Sequence, residues 1–362
     1  MEKKPYIPKK LDIEGLELDY NKFAPELSKA QYVLGQLQGS QKKLQNPNLL
    51  VSPLTAKEAT TSSRIEGTQS DVGDLFTYEA GGEAKHADVK DVINYRKAIH
   101  SAVGEMQKDR DLSVSLIKSL HGVLLKDVMH KGELGGFRKG QVWIAEKTGQ
   151  PIEEALYIPP EAIQVPALVE NLIDYTNNGI EDALIKAGIS HYQFEAVHPF
   201  DDGNGRMGRL LIPLILYKQG KLSSPILYLS GYFEENRDEY IYYLHKVDET
   251  GKYEEWLKFF LKSVAEQLQE TQRIIDEIYD LYDKLRENNK NTKSPYLIPF
   301  IDFLFMSPIF TIKMVMEGIN SKGRQTARAL IEDFQNKGLI REVGSRKRDK
   351  LFEFTPLLKI IE

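Results

Sequence analysis

Residues His198–Leu211 read HPFDDGNGRMGRLL, and their glycines at 203, 205 and 208 have the G-x-G-x-x-G spacing of dinucleotide-binding enzymes. A dinucleotide fold requires a buried strand immediately before the first glycine and an acidic residue about 20 positions later. Here the preceding stretch, ALIKAGISHYQFEAV, is apolar at helical spacing, and the later stretch KLSSPILYLSGYF holds no acidic residue. The glycine spacing therefore does not predict a dinucleotide fold.

The same residues favour phosphate binding. Gly203–Gly205 can turn successive backbone N–H groups inward, at the start of a helix whose dipole favours negative charge. Arg206 and Arg209 lie three positions apart on that helix, so both guanidinium groups can reach the same side. The aspartates before the glycines would be repelled by phosphate unless Mg²⁺ lay between them, and His198 is a base within reach. The chemistry indicated is metal-dependent phosphoryl or nucleotidyl transfer.

The composition is that of a soluble globular chain of 362 residues, with 41% hydrophobic and 28% charged residues. The absence of cysteine excludes disulfides, thiolate catalysis and cysteine-ligated zinc. No apolar run could span a bilayer and the N-terminus has no apolar signal core, so we expect a cytoplasmic protein without membrane partners. The net charge of −5 argues against a chain that coats nucleic acid along its whole length.

Helical periodicity dominates the chain, which predicts a mainly α fold with one β-hairpin. The hairpin is expected from QVWIA and ALYIPP, two short strands around a KTGQP turn. Ser52 is expected to cap a slim helix with Pro53 at its first position and Gly67 at its end. The polar linker ENNKNTKSP separates a C-terminal module (294–362) from a helical core (89–285), which follows an N-terminal arm and helix (1–88).

The C-terminal module is predicted as three helices followed by a β-hairpin, which resembles a winged helix. Its amphipathic third helix is expected to turn four residues inward: Ala327, Leu330, Ile331 and Phe334. Residues 321–350 hold nine lysines and arginines but four acidic residues, a positive patch suited to DNA phosphates. Because winged helices also dock proteins and the whole chain is acidic, we expect protein docking or a structural role in preference to DNA contact.

The segment HPFDDGNGRMGR matches the signature of Fic-domain proteins, H-x-F-x-[DE]-G-N-G-R-x-x-R, at every specified position. GGFR before the predicted hairpin and HYQFEAVHPF before the glycines are also similar to that family. The resemblance covers roughly residues 89–261. It implies a mainly α, Fic-type helical core with a β-hairpin flap, followed here by the winged-helix-like α+β module.

The resemblance implies a protein adenylyltransferase that transfers AMP from Mg-ATP to a Ser, Thr or Tyr hydroxyl of a target protein or of itself. His198 would be the general base, Phe200 would anchor the loop in the core, and Asp202 would hold Mg²⁺ against the phosphates. The implied ATP-binding residues are Gly203, Asn204, Gly205, Arg206, Met207, Gly208 and Arg209, with Tyr232, Asn236 and Tyr240 lining the adenine pocket. Met207 and Gly208 occupy the variable positions of the signature.

A second motif of the family, the inhibitory [ST]-x-x-x-E-[GN], is matched by SSRIEG, from Ser62 to Gly67. The resemblance implies that Glu66 pairs with Arg209, excludes the γ-phosphate and leaves ATP misaligned for in-line attack. We therefore expect an intramolecular brake that precedes the core in the chain.

The predicted flap residues are Val142, Trp143 and Ile144. Exposed edge groups on QVWIA could add an extended target segment as a strand and present its hydroxyl to His198. For Trp143, packing within the hairpin is an equal alternative.

The residues in and before the signature are also compatible with chemistry other than AMP transfer. His191, Glu195 and His198 stand at i, i+4 and i+7 and could ligate a metal, although a buried, hydrogen-bonded His191 is favoured. The rival function is a DNA-binding regulator whose Fic domain senses nucleotide without turnover. The resemblance also leaves open phosphoryl, uridylyl or phosphocholine transfer, removal of AMP, and a homodimer.

Overall fold

The computed structural model describes residues 4–41, 48–106, 108, 111–129, 131–145, 149–222, 227–290, 294–344 and 348–362. The helices are α1 (Ala24–Gln41), α2 (Asn48–Ile65), α3 (Val72–Glu79), α4 (Val89–Met106), α5 (Val114–Leu124), α6 (Val165–Asn178), α7 (Ala183–Val197), α8 (Asn204–Lys218), α9 (Ser230–Glu235), α10 (Arg237–Thr250), α11 (Glu254–Asn288), α12 (Leu297–Met306), α13 (Ile312–Gly318), α14 (Arg324–Asn336) and α15 (Thr355–Ile361). The strands are β1 (Ile309–Thr311), β2 (Ile340–Val343) and β3 (Leu351–Phe354). The fold is mainly α, as predicted. No helix in these ranges is long and apolar enough to cross a membrane.

The chain packs as two compact units. Unit 1 comprises Met1–Ser40 and Asn94–Leu268, and unit 2 comprises Gln41–Ile93 and Gln269–Glu362. This division by packing differs from the predicted division along the sequence, because residues 41–93 pack with the C-terminal part of the chain. The segment SSRIEG therefore belongs to unit 2, whereas the signature loop belongs to unit 1.

The core of unit 1 is built around α7. Fourteen of its 15 residues are buried, and it packs against α6 and α8. At Gly188 it also meets α11 closely, since a Cβ there would lie 2.7 Å from Cδ1 of Phe260. The indole of Trp256 donates to the Gly188 carbonyl at 2.8 Å. This close approach leaves no room for a larger residue and fixes the helix that leads into the signature loop.

The N-terminal arm of unit 1 is extended and held by hydrogen bonds along its length. The Tyr6 amide donates to the Ile158 carbonyl at 2.8 Å. Three residues later, the Gln193 side chain donates to the Lys9 carbonyl at 2.9 Å, which ties the arm to α7.

The predicted flap does not form the two strands that the sequence pattern indicated. In the described part of residues 141–158 it consists of one antiparallel bridge between Ile144 and Tyr157. The Ile144 amide donates to the Tyr157 carbonyl at 2.9 Å, and the Leu156 amide donates to the Ile144 carbonyl at 2.7 Å. The predicted KTGQP turn lies partly outside the described residues.

Unit 2 contains the C-terminal module, in the order α12, β1, α13, α14, β2, β3, α15. Its antiparallel sheet has the order β1-β3-β2, with Phe310 opposite Phe352. The four residues predicted to point inward on α14 are buried: Ala327, Leu330, Ile331 and Phe334. Phe334 meets Phe300 of α12 edge to face, with ring centroids 5.1 Å apart. The module has the predicted three helices followed by a hairpin, with the additional strand β1 that the sequence did not predict.

Helix α2 begins at Asn48, so the expected cap at Ser52 is wrong and Pro53 lies inside the helix. Leu49 and Leu50 are 3% and 1% exposed, and their burial extends the helix upstream of the proline. The hydroxyl of Ser52 instead donates to the Met306 carbonyl of α12 at 2.6 Å. Helix α2 is thereby packed on the C-terminal module, within unit 2.

Candidate active site

The signature loop joins α7 to α8 and is closed by one side chain. The amide group of Asn204 accepts from the Phe200 N–H and donates to the Phe200 carbonyl, both at 2.9 Å. Phe200 is fully buried, as the resemblance implied for a loop anchor. Gly203, with φ +75°, directly precedes α8. The loop is therefore a short, internally bonded turn rather than a free connection.

His198 lies at the end of α7 in a left-handed conformation, φ 47° and ψ 63°. Such a backbone is costly for a residue with a Cβ, and it persists only where surrounding contacts hold it. Arg138, 2% exposed, supplies those contacts: its Nε donates to the His198 carbonyl at 2.8 Å. The remaining guanidinium nitrogens donate to the carbonyls of Val197, Gly140 and Pro160, and the Arg138 amide donates to that of Pro199.

Arg138 belongs to the GGFR segment, but the sequence did not single it out as a site residue. Burial lowers the pKa of its guanidinium, while Asp201 opposes that shift. The Arg138 side chain donates to carbonyl oxygens of four residues, so its role is to hold backbone rather than to neutralise a bonded carboxylate.

His121 of α5 is a second residue that the sequence did not reveal. Its ring stacks on Phe200, with centroids 3.8 Å apart and planes 9° apart. Its Nδ1 accepts from the Gly135 N–H at 3.0 Å, so Nε2 carries the proton and donates to the Asp202 carbonyl at 3.1 Å. Burial lowers the pKa of His121, which keeps this tautomer neutral. His121 and Arg138 thus hold the loop at its two ends.

The N-terminus of α8 concentrates positive charge. Arg206 and Arg209 are 5% and 4% exposed, and both belong to the first two turns of this 15-residue helix. Asp202 is partly exposed, and its Oδ1 accepts from the Gly203 N–H at 2.6 Å and lies 3.6 Å from Nη2 of Arg206. A helix N-terminus with backbone N–H groups and two guanidinium groups is a combination that suits a polyanion, and one carboxylate lies at its edge.

The two variable positions of the signature are both packed. Met207 is fully buried and its N–H donates to the Gly203 carbonyl, so it contributes to the helix and the core. A Cβ on Gly208 would lie 2.2 Å from Oε1 of Glu195 and 3.3 Å from Cε1 of His191. Position 208 is therefore where α8 closely approaches α7, a role that the signature pattern alone does not reveal.

The predicted adenine-pocket residues divide into two groups. The Tyr240 hydroxyl bonds Nε2 of His191 at 2.8 Å, and its ring stacks on Phe233 with centroids 4.5 Å apart. Through His191, Tyr240 is joined to the neighbourhood of Gly208. The Asn236 side chain instead donates to the carbonyl of the buried Tyr232 at 2.9 Å, within its own segment.

His191 is fully buried, and burial lowers its pKa to about 3. The favoured interpretation of a core-facing, hydrogen-bonded His191 is confirmed. Within the described ranges, no group of three or more histidine, cysteine, aspartate or glutamate side chains could hold a metal ion.

The flap residues present apolar surface. Trp143 and Ile144 are 39% and 38% exposed, and Val142 is half-buried. The Trp143 indole also donates to the Gln150 carbonyl at 2.8 Å, so it packs within the flap while staying accessible. Because the amide and carbonyl of Ile144 both bond inward, an added strand would pair with residues 143 and 145.

The segment SSRIEG forms the end of α2, in unit 2. The Thr68 N–H donates to the Ser63 carbonyl at 3.3 Å and the Gly67 N–H to the Arg64 carbonyl at 2.9 Å, which is a Schellman end. Gly67 has φ +99°, as its predicted place just after the helix requires. Glu66 is the exposed cap residue between helix and glycine, and Ser62 is buried one turn earlier.

Comparisons with known proteins cover both the N-terminal helices and the signature. The profile of the Fic/DOC family N-terminal region matches residues 24–104, and that of the Fic/DOC family matches residues 111–216. Together these ranges cover just over half of the chain.

Two curated relatives resemble shorter stretches. A probable protein adenylyltransferase from Aquifex aeolicus is 35% identical over 104 residues, which is 28% of this chain and 30% of that protein. Protein adenylyltransferase fic-1 from Caenorhabditis briggsae is 33% identical over 116 residues, 31% of this chain and 23% of that protein. The matches thus span less than a third of either relative.

The fold is shared more widely than these segments. The crystal structure of a Fic family protein from Desulfovibrio desulfuricans superposes with a TM-score of 0.59, covering 91% of this chain and 96% of that one at 20% identity. At that identity the likeness is one of fold alone. With both profiles matched and the signature placed in one closed loop between α7 and α8, the chain belongs to the Fic/DOC family.

Proposed function

We propose that this chain is a protein adenylyltransferase that transfers AMP from Mg-ATP to a Ser, Thr or Tyr hydroxyl of a target protein or of itself. The observation that carries the proposal is the N-terminus of α8, where Arg206 and Arg209 are buried in the first two turns and Asp202 lies 3.6 Å from Arg206. His198 ends α7 at the start of the same loop. This arrangement suits a triphosphate better than a single phosphate, because it offers two guanidinium groups and a helix dipole. The names of both curated relatives agree with this activity.

In the proposed reaction the target hydroxyl attacks the α-phosphorus of ATP. A new oxygen–phosphorus bond forms, the bond from the α-phosphorus to pyrophosphate breaks, and His198 takes the hydroxyl proton. General-base assistance of this kind contributes about 10²–10⁴ in rate. Arg206 and Arg209 orient the phosphates, and Tyr240, with Tyr232 and Asn236, is assigned to the adenine side. The exposed edge of the flap at residues 143 and 145 would hold the target segment.

The residues present fit a Mg²⁺ ion. Mg²⁺ is commonly bound by one or two carboxylates while phosphate oxygens and water fill the remaining positions. Asp202 is such a single carboxylate, partly exposed at the edge of the polyanion site, and it faces both the Gly203 N–H and Arg206 through Oδ1. When bound there, the ion would neutralise charge on the phosphates.

We further propose that Glu66 restrains this activity. The proposal rests on the match of SSRIEG to the family's inhibitory motif and on the exposed position of Glu66 at a fixed helix end. As the resemblance implies, its carboxylate would act on Arg209 and compete with the γ-phosphate. Misplacement of a reacting group by a small distance can cost about 10²-fold in rate, so the Glu66→Gly variant should label targets faster by about that factor.

The test is incorporation of label into protein from ATP labelled at the α-phosphate. Wild type, Glu66→Gly and the double variant Glu66→Gly/His198→Ala are compared, with Glu83→Gly as an exposed-glutamate control in the same unit. We expect label with Glu66→Gly and none with the double variant. Label from the γ-phosphate or from UTP instead would reassign the transferred group. An unlabelled Glu66→Gly sample that still binds ATP would favour the rival function, a nucleotide-sensing regulator without turnover.

A further inference from the structure

The C-terminal module contains a helix–turn–helix whose outward face is basic. Helices α13 and α14 are joined by three residues, Asn320–Lys322, that lie between the cap residues Ile319 and Gly323. Asn320 takes the left-handed conformation, φ 51°, that makes this turn tight. Two helices connected by such a turn form the unit that places a second, exposed helix into the major groove of DNA.

The amphipathic pattern of α14 fixes which residues face outward. Its buried side packs on the module through residues such as Phe334 and Leu330. The opposite side near its start is exposed and includes Arg324, Gln325 and Arg328. These residues are at the N-terminal end of the helix, which is the part of a recognition helix that reaches base edges.

The exposed cations near the start of α14 differ from four other cations of the module, which are ion-paired. Lys313, Lys337, Arg341 and Lys350 each have a carboxylate within 4.0 Å. Within the described ranges, Lys322, Arg324 and Arg328 have none, and residues 321–331 contain no acidic residue. The negative net charge of the chain therefore conceals a locally positive segment at the start of α14.

This placement is unfavourable for the isolated helix. Cations at a helix N-terminus oppose the helix dipole, and like charges at positions i and i+4, here Arg324 and Arg328, repel each other. A polyanion lying across the helix would relieve both effects. The neighbouring Gln325 adds a side chain that can bond an adenine edge, as arginine bonds a guanine edge.

We propose that α14, with the turn before it, binds duplex DNA in the major groove, with Arg324, Gln325 and Arg328 toward the bases and Lys322 toward the backbone. This reverses the preference drawn from net charge, because Lys322, Arg324 and Arg328 lie together at the start of α14 and, within the described ranges, have no carboxylate within 4.0 Å. The four residues belong to unit 2, whereas the signature loop belongs to unit 1.

The first experiment measures fluorescence anisotropy of a labelled random-sequence duplex of about 20 base pairs, titrated with the full chain at several salt concentrations. We expect binding that weakens with salt. In the Arg324→Gln/Arg328→Gln variant the affinity should fall at least about ten-fold. In the Lys322→Gln variant, which loses the backbone contact, the salt slope should decrease by about one. Lys359→Gln is the matched control, an exposed cation of the same module on α15, and should bind as wild type.

Three results would overturn the proposal. They are no duplex binding at low salt, equal binding by the wild type and the double variant, and tighter binding of single-stranded RNA or of poly-glutamate than of the duplex. Since the changed arginines are not in the core, circular dichroism and the thermal midpoint should match wild type and exclude misfolding.

The second experiment selects bound sequences from a random duplex pool. Wild type should enrich a short motif, and Gln325→Ala should change the enriched bases at one position while general affinity stays within about three-fold. An unenriched pool would show that α14 does not read bases. AMP transfer measured on the same samples separates failure of this proposal from failure of the adenylyltransferase proposal.

Discussion

The guanidinium of Arg138 and the backbone of His198 form one bonded unit, in which Nε donates to the His198 carbonyl at 2.8 Å. The proposed base is therefore positioned through its main chain, from a residue 60 positions earlier. Together with the ring of His121 on Phe200, this contact sets the shape of the signature loop before any nucleotide arrives.

Replacing Arg138 by methionine should lower the turnover of AMP transfer by about 10²-fold, because the left-handed backbone of His198 loses the contact that holds it. Affinity for ATP should change little, since Arg206 and Arg209 remain. Steady-state kinetics and nucleotide binding in the Glu66→Gly background would measure both. Lys139→Met, which removes the adjacent exposed cation, should leave both unchanged. Equal losses in turnover and ATP affinity would contradict a role limited to positioning.

Replacing Asp202 by asparagine should raise the Mg²⁺ concentration needed for half-maximal AMP transfer at least about ten-fold, because the amide is a poorer ligand for a hard cation. Asp201→Asn is the matched control, one residue earlier in the same loop, and should shift it little. Mg²⁺ titrations of both variants at fixed ATP give the comparison. If Asp201→Asn had the larger effect, the assignment of the metal carboxylate would be wrong.

Gly188→Ala should destabilise the protein by about 1–3 kcal/mol, because its Cβ would lie 2.7 Å from the Phe260 ring in a filled core. Gly122→Ala in α5 is the opposite case, a helical glycine with nothing within 4 Å, and should stabilise by about 0.5–1 kcal/mol. Urea denaturation followed by circular dichroism would resolve the two directions. A neutral Gly188→Ala would mean that α7 and α11 can move apart at no cost.

The buried His191 should make stability depend on pH. Its pKa is about 3 in the folded chain against 6.5 when unfolded, so only the unfolded chain gains this proton between those values. Stability should therefore fall as pH drops from 6.5 toward 3, with His191 contributing up to about 1.4 kcal/mol per pH unit. His191→Gln keeps a hydrogen-bonding group for Tyr240 but does not titrate, and should have a shallower pH dependence of the unfolding free energy. Equal slopes would contradict the burial of a neutral histidine.

Long amphipathic segments were predictable from the sequence. Helix α11 runs Glu254–Asn288, and its amphipathic pattern, which persists over many turns, predicts such a long helix from the sequence. Short elements were missed. Helix α3 is set by the capping box between Asp71 and Asp74, a local signal easily lost among loop residues, and β1 exists only through its pairing with β3.

In the site, the sequence pattern identified the residues of the loop but not those that support it. The signature places His198, Asp202 and the arginines in one segment, so their proximity follows from the chain. His121 and Arg138 lie 77 and 60 positions before His198. Their spacing carries no periodic signal, and only the fold brings them to the loop. Gly208 is similar, since its contact with Glu195 depends on how α7 and α8 cross.

The packing of α2 bears on how shorter versions of the protein would behave. Within unit 2, α2 bonds α12 through Ser52 and Met306, and its Lys57 side chain reaches the Ile361 carbonyl of α15. A proteolytic fragment ending near residue 290 keeps the whole signature but removes both of these partners of α2. In such a fragment the end of α2 that carries Glu66 would lose its ordered position, although residue 66 itself would be unchanged. High activity in a shortened chain would thus report the unfolding of α2 rather than the intrinsic rate of an intact catalytic core.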